Sequence, residues 1–148
     1  MKRNLLIVCN PSRKDAVAAA VQLQGSLADT FDIFTISDIE ISGIKKVKIS
    51  DLPEIEVGIV LGGDGTTLRA AEVAHLSQVP LLGVNLGHVG FLSEVEESNI
   101  ADVISAVLER SYVIDPRITL KYEVSRDGKI VDSGWALNEV TVEREKTT

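Results

Sequence analysis

The chain has 148 residues, 45% of them hydrophobic and 25% charged, which is the composition of a globular domain able to bury a core. Its formal net charge of −7 argues against nucleic-acid binding, which requires clustered Lys and Arg residues. A single cysteine, Cys9, excludes an internal disulfide, and no apolar run approaches the roughly 20 residues of a membrane span, so we expect a cytoplasmic protein with no membrane partner.

The first part of the chain alternates strand and helix patterns. Residues 5–8 are continuously apolar, which is typical of a strand buried on both faces of a parallel sheet. A helix is expected to begin at Pro11 and Ser12 and to reach about Leu27, because apolar residues recur there at helical spacing. Residues 31–36 alternate as a second strand, and residues 37–53 are less regular, with short elements and loops.

The alternation continues beyond this irregular segment. Residues 57–61 predict a buried strand, and a glycine turn and an alanine-rich helix come next. Residues 80–84 predict another buried strand, and residues 99–109 carry a full apolar stripe at helical spacing. This order predicts a doubly wound α/β domain with a mostly parallel sheet over residues 1–112.

The pattern changes after Tyr112. Residues 119–124 alternate polar and apolar, Asp127-Gly128 is a hairpin turn signal, and residues 136–142 have further strand character. Residues 113–148 are therefore predicted to be the incomplete beginning of an antiparallel, β-rich second domain. Because a few strands alone seldom form a stable unit, we expect the chain to be a truncated piece of a longer protein.

The most informative segment is the glycine loop, defined as residues 62–66 (GGDGT), between a predicted strand and a predicted helix. Glycines let the backbone turn sharply and approach a ligand, and amides at a helix start attract phosphate. The predicted phosphate loop consists of Gly62, Gly63, Gly65 and Thr66. A phosphate site needs no anion, so Asp64 is expected to face a hydroxyl, a metal or, in the structural alternative, the helix start as its cap.

Two common nucleotide signatures are absent from the sequence. There is no G-x-x-x-x-G-K-[ST] motif, which excludes a P-loop enzyme. The first predicted strand leads into residues 10–13 (NPSR) and not into G-x-G-x-x-G, which excludes the usual dinucleotide-binding turn at that strand.

Three blocks of sequence resemble the NAD kinases, in the wider group that includes phosphofructokinases and diacylglycerol-type lipid kinases. The blocks are GGDGTTLRAA (residues 62–71), PLLGVNLGHVGFL (residues 80–92) and ALNEV (residues 136–140). In the lipid kinases the aspartate block runs directly into an Asn-Glu-Val-type helix. Here Asn138 and Glu139 lie far downstream, which favours a dinucleotide substrate.

The resemblance implies transfer of a phosphoryl group from ATP or inorganic polyphosphate to the adenosine ribose 2′-hydroxyl of NAD, giving NADP. It implies Asp64 as the catalytic general base, and NAD binding by Asp64, Gly65, Arg69, Asn138 and Glu139. A divalent metal, Mg²⁺, is implied for the nucleotide phosphates, with no protein ligand assigned to it. The family also implies a homo-oligomer, a dimer or a tetramer, for the full-length protein.

Several of these residues have structural alternatives. Arg69 could form a surface ion pair with Glu72 at i+3. Asn138 and Glu139 are adjacent, so they point to opposite faces of a strand and need a bulge or a strand end to serve one pocket. Other positions are assigned more simply: Asn85, Gly87, Gly90 and Phe91 to the pocket wall, His75 and His88 to non-catalytic positions, and Trp135 to packing of the hairpin.

Three functions therefore remain open at the level of sequence. The first is the N-terminal part of an NAD kinase, in which these 148 residues need not be active alone. The second is a non-catalytic nucleotide-binding module that keeps the loop without turnover. The third is a related lipid or sugar kinase.

Overall fold

The computed structural model describes residues 1–86, 95–96, 100–137 and 139–144. It divides the chain into two compact units, Met1–Val113 and Ile114–Thr148. The first unit contains a six-stranded sheet in the order β3-β2-β1-β4-β5-β6, in which every pair of neighbouring strands is parallel. Its strands are β1 (Arg3–Cys9), β2 (Phe31–Thr35), β3 (Ile44–Lys46), β4 (Val57–Leu61), β5 (Leu81–Asn85) and β6 (Val95–Glu96).

Among the described residues, three α-helices cover the two faces of this sheet: α1 (Lys14–Leu27), α2 (Asp64–Ser77) and α3 (Ile100–Glu109). The buried residues of α1 and α3 share one core cluster with one face of the strands. Ala70 and Val73 of α2 pack in a second cluster on the opposite face. Residues 5–9 of β1 and all of β4 are apolar and buried, as expected for central strands that are covered on both faces. The predicted doubly wound α/β arrangement is confirmed.

The second unit is an antiparallel hairpin of β7 (Leu120–Arg126) and β8 (Lys129–Ala136). The turn between the strands is Asp127-Gly128, with φ of +51° and +78°, the conformation for which Asn-Gly and Asp-Gly pairs are favoured. A β-bulge at Val124/Ser125 shifts the register of the pair. The predicted antiparallel hairpin is therefore present.

Two predicted boundaries differ from the structure. Helix α1 begins at Lys14 and not at Pro11, because the Asn10 side chain accepts hydrogen bonds from the Ser12 amide and hydroxyl and holds a turn there. The predicted strand over residues 136–142 is wrong at Leu137 and at residues 139–142, and Asn138 lies outside the described residues. Strand β8 ends at Ala136, and residues 139–144 are not in a strand.

Candidate active site

The glycine loop lies at the carboxyl end of β4, next to the point where the sheet reverses its direction of winding. From β1 the chain moves outward to β2 and β3, then returns to β4 on the other side of β1 and continues to β5. In open α/β sheets, ligands bind outside the carboxyl ends of the strands at this switch point. The Asn10 amide donates to the Leu61 carbonyl at 3.4 Å, so the turns after β1 and β4 lie side by side there.

Gly62 makes the sharp turn at the end of β4. Its φ is +153°, which side chains rarely allow, and a Cβ there would lie 2.8 Å from the Thr66 hydroxyl oxygen. Gly63 and Gly65 differ, because a Cβ on either would have no heavy atom of a described residue within 4 Å. The turn therefore requires glycine at position 62, whereas the other two glycines leave the outer surface of the loop bare.

Asp64 is the first residue of α2, and Gly63 is the residue that precedes the helix as its N-cap. The capping role considered for Asp64 therefore belongs to the position of Gly63, which has no side chain. The Thr67 amide and hydroxyl both donate to the Gly63 carbonyl, at 3.1 and 3.3 Å, and close the first turn. The half-buried Asp64 carboxylate is consequently placed at the positive end of the helix dipole.

Arg69 lies on α2, five residues after Asp64, and the two side chains leave the helix about 140° apart. Its guanidinium Nη2 donates to the Ile36 carbonyl, just beyond β2, at 3.4 Å. Arg69 and Glu72 are both described, and they do not form the ion pair that was considered as an alternative. Arg69 therefore extends toward the carboxyl end of β2, where it lines an open cleft.

Sequence reasoning did not single out Arg13, in the turn after β1. Its guanidinium binds the Asp15 carboxylate at 2.7 and 3.2 Å, and Nη2 also donates to the Leu86 carbonyl at the end of β5. These bonds hold the pKa of Asp15 below its ordinary value. Arg13 thus joins the start of α1 to the chain that follows β5. The sequence signal that could have pointed to Arg13 was its position as a cationic residue just after the Asn-Pro turn.

Of the predicted NAD contacts Asn138 and Glu139, the structure describes only Glu139. Glu139 is exposed and follows the end of β8, whereas Asn138 lies outside the described residues. Of the predicted pocket wall, Asn85 ends β5, and Gly87, Gly90 and Phe91 lie outside the described residues. Among the predicted non-catalytic residues, His75 is in the last turn of α2, away from the loop, and Trp135 pairs with Lys121 in the hairpin; His88 lies outside the described residues.

Neither a metal cluster nor a membrane span is found in the described part of the chain. Among residues 1–86, 95–96, 100–137 and 139–144, no three His, Cys, Asp or Glu side chains are grouped to hold a metal ion. None of the helices described is both long enough and apolar enough to cross a bilayer.

Comparison with known proteins gives a consistent set of relatives. The family model of the ATP-NAD kinase N-terminal domain matches residues 45–112. An NAD kinase of Leifsonia xyli is 37% identical over 97% of this chain and 51% of its own length. NAD kinase 2 of Streptomyces coelicolor is 40% identical over 88% of this chain and 43% of its own length.

A shorter match and a solved structure extend this comparison. An NAD kinase of Mycobacterium leprae is 52% identical over 60% of this chain and 29% of its own length. The crystal structure of yeast NADH kinase complexed with NADH matches with a TM-score of 0.74 at 21% identity, over 93% of this chain and 47% of that chain, and so shares the fold. This chain spans about half or less of the length of the relatives it matches.

Proposed function

Since the chain belongs to the NAD kinase family, as an N-terminal portion of such an enzyme, we propose that the protein containing it phosphorylates NAD. The proposed reaction transfers the terminal phosphoryl group of ATP, or of inorganic polyphosphate, to the adenosine ribose 2′-hydroxyl. The observation that carries this proposal is the position of Asp64, a carboxylate at the start of α2 in a glycine loop beside the switch point of the sheet.

Asp64 is the proposed general base. Its carboxylate accepts the proton of the ribose 2′-hydroxyl as that oxygen forms a bond to the terminal phosphorus, and the bond to the remainder of the donor breaks. A carboxylate is a weak base toward an alcohol, so alignment of the hydroxyl with the phosphorus contributes most of the rate enhancement.

The bare surface of the loop is the proposed phosphate site. Gly62, Gly63, Gly65 and Thr66 place backbone amides and the helix dipole at one end of α2, and the open space beside Gly63 and Gly65 admits close approach of a phosphate. Mg²⁺, the proposed metal, commonly binds through substrate phosphates, waters and one or two carboxylates. The metal would neutralise phosphate charge, and no protein ligand is assigned to it.

The proposed contacts to NAD are Asp64, Gly65, Asn138 and Glu139. Strand β8 ends at Ala136, and Glu139 follows it, so the alternation of strand residues between two faces does not apply to Glu139. Arg69, which was also predicted to bind NAD, extends toward Ile36, and a phosphate is its proposed ligand. We also propose that the full-length protein is a cytoplasmic homo-oligomer, a dimer or a tetramer.

The test is NADP formation from NAD, ATP and Mg²⁺ by the 148-residue chain and by a version extended with its natural downstream sequence. Asp64→Asn should lower kcat of the active form by at least about 100-fold, the scale of lost general-base catalysis. Asp102→Asn is the matched control, because Asp102 is an exposed aspartate in the first turn of α3. Its activity should equal that of the unmodified protein.

Other results would contradict the proposal. Binding of NAD or ATP by both forms without any NADP would indicate a non-catalytic nucleotide-binding module. Phosphorylation of diacylglycerol or of a sugar phosphate in place of NAD would indicate one of the related kinases. Retention of full activity by Asp64→Asn would remove Asp64 from the reaction even if NADP forms.

A further inference from the structure

Arg13 is an unusual residue for its place in the fold, because it occupies the N-cap of α1. Side chains that accept a hydrogen bond are preferred at this position, and a guanidinium accepts none. The Arg13 side chain accordingly caps none of the described amides of α1, and its positive charge lies at the positive end of the helix dipole. Residues that break a local rule in this way are expected at functional sites, so the other contacts of Arg13 are informative.

The contacts of Arg13 join two strands that are not neighbours in the sheet. Strand β4 lies between β1 and β5, and neighbouring strands are about 4.8 Å apart, so β1 and β5 are separated by about 10 Å. Arg13 follows β1, and its Nη2 donates to the Leu86 carbonyl directly after β5. The side chain therefore bridges the position at which β4 ends and the glycine loop begins.

The backbone hydrogen bonds between these turns are weak by comparison. The Asn10 amide donates to the Leu61 carbonyl, and the Gly62 amide donates to the Val84 carbonyl, both at 3.4 Å. Both bonds are long, since the usual N–H···O distance is about 2.9–3.0 Å. A hydrogen bond from a charged donor is roughly twice as strong as a neutral one. The Arg13 guanidinium is therefore the stronger attachment between the turns that flank the glycine loop.

Asp15 holds the Arg13 side chain in the orientation that reaches Leu86. Its carboxylate accepts hydrogen bonds from Nε and Nη2 of Arg13 at 3.2 and 2.7 Å, and its Oδ1 also accepts one from the Ala16 amide at 2.9 Å. The Arg13 and Asp15 side chains are 24% and 38% exposed, so the pair is partly shielded from solvent. We call Arg13, Asp15 and the Leu86 carbonyl the arginine clamp. One end of it is fixed to α1, and the other end binds the chain after β5.

The glycine loop lies between the two turns that the arginine clamp joins. A Cβ on Gly63 or Gly65 would meet no heavy atom of a described residue within 4 Å, so the described residues give the outer side of the loop no packing support. Phosphoryl transfer depends mainly on the alignment of the reacting groups, and a displacement of about 1 Å can cost about 100-fold in rate. The turns on either side of the loop are therefore expected to control its position.

We propose that Arg13 is a positioning residue for phosphoryl transfer. Through the arginine clamp it holds the turn after β1 and the chain after β5 on either side of the glycine loop, and so fixes the position of the Asp64 carboxylate. Because Arg13 acts on the loop and not on a substrate, its loss lowers kcat and leaves the KM for NAD and for ATP nearly unchanged. The reaction in which it acts rests on the kinase function proposed above.

The test is the steady-state kinetics of Arg13→Ser in the form of the protein that makes NADP, with urea denaturation of the same variant. Serine supplies the capping hydroxyl that Arg13 lacks, so the urea midpoint should stay within about 0.5 M of the unmodified protein. The kcat should fall by about 10- to 100-fold, with less than about a twofold change in either KM. Lys14→Ser is the matched control, because it removes an exposed cation one residue further along, and its kinetics should be unchanged.

The other outcomes of this comparison would overturn the proposal. A raised KM for ATP with an unchanged kcat would assign Arg13 to substrate binding. A lowered urea midpoint with an unchanged kcat would make Arg13 a structural residue only. Equal losses of kcat in Arg13→Ser and Lys14→Ser would show that the positive charge of the turn matters and the arginine clamp does not.

A double-mutant cycle tests whether Asp15 acts through Arg13. Asp15→Asn should lower kcat by about three- to fivefold, because Arg13 keeps its bond to the Leu86 carbonyl but loses its charged orienting partner. The double variant should be no slower than Arg13→Ser alone, since residues that act as one unit have non-additive effects. Additive losses of kcat would show that the two side chains act independently and would contradict the clamp.

Amide hydrogen exchange of the 148-residue chain separates this inference from the proposed function, because it needs no substrate. The Asn10 and Gly62 amides should exchange at least about tenfold faster in Arg13→Ser, whereas the Ile59 amide within β4 should exchange at its original rate. If exchange changes in this way but no NADP forms, the clamp is supported and the kinase function fails. If NADP forms while kcat and the exchange of both amides are unchanged in Arg13→Ser, the function is supported and the clamp is wrong.

Discussion

Gly62 shows how one residue shapes the candidate site. It has φ of +153° and lies directly beside Thr66, so a methyl group added there meets both unfavourable backbone geometry and a side-chain oxygen at 2.8 Å. We expect Gly62→Ala to lower the free energy of unfolding by about 1–3 kcal/mol, the cost of a strained backbone position with local overpacking. Urea denaturation of the 148-residue chain, followed by circular dichroism, measures this change.

Gly65→Ala is the control for that substitution. Gly65 lies in the first turn of α2, and a Cβ there meets no heavy atom of a described residue within 4 Å. Because alanine is a better helix former than glycine, this variant should be neutral or more stable by up to about 1 kcal/mol. Equal destabilisation by the two substitutions would show that the turn at Gly62 has no special requirement for glycine.

The motif did not predict that the three glycines of the loop have different roles. The five letters GGDGT indicated a turn, a phosphate site and a carboxylate, but they assigned the same role to all three glycines. The distinction depends on Thr66, whose hydroxyl reaches back over Gly62, and on the open space beside Gly65. Those are contacts between side chains and backbone, and no spacing rule in the sequence specifies them.

At the scale of elements, Glu56 joins three parts of the first unit at the end of the sheet opposite the glycine loop. Its carboxylate accepts hydrogen bonds from the guanidinium of Arg3, on β1. It also accepts two from the guanidinium of Arg110, just after α3, at 3.0 and 3.1 Å. Arg3 also donates to the Val107 and Leu108 carbonyls at the end of α3. The bonds from Arg3 and Arg110 lower the pKa of Glu56 to about 2.

This depressed pKa predicts a dependence of stability on pH. The ionised Glu56 carboxylate stabilises the fold fully above the ordinary value of 4.5, and this contribution is lost as the pH falls from there through about 2. Glu56→Gln should therefore reduce the free energy of unfolding at pH 7 by on the order of 2 kcal/mol. The difference between variant and unmodified protein should shrink below about pH 4 in urea denaturation.

Glu109→Gln is the matched control for Glu56, since Glu109 is an exposed glutamate at the same end of α3. Its stability profile should follow that of the unmodified chain over the whole pH range. A Glu56→Gln variant whose deficit stays constant from pH 7 to pH 2 would show that the charge of Glu56 does not stabilise the attachment of α3.

The elements were predicted from periodicity with different success in the two units. Strand β4 has the predicted bounds because a continuous apolar run between turn residues leaves little freedom. The start of α1 was misplaced by a hydrogen-bonded turn at Asn10, a local competitor of the helix. The strand predicted over residues 136–142 ends at Ala136, since alternation alone does not specify where a strand stops being paired.

At the scale of the whole molecule, burial separates the two units. The buried hydrophobic residues all lie between Leu5 and Val107 in the described part of the chain. The hairpin unit has large hydrophobic side chains that are substantially exposed, among them Ile118, Ile130 and Val131 at 82%, 62% and 55%. The alternating order of strands and helices was sufficient to predict the first unit, because each of its apolar patterns finds a covering layer.

The predicted division into domains, residues 1–112 and 113–148, can be tested by truncation. Since the core lies within the first unit, a chain that ends at Val113 should unfold cooperatively, with a free energy within about 1 kcal/mol of the 148-residue chain. A peptide of residues 114–148 should be largely unfolded, because an isolated two-stranded hairpin is marginal in water. Urea denaturation measures the stability of the truncated chain, and amide chemical-shift dispersion measures the folding of the peptide. A loss of more than about 2 kcal/mol on truncation would show that the hairpin contributes to the stability of the α/β unit.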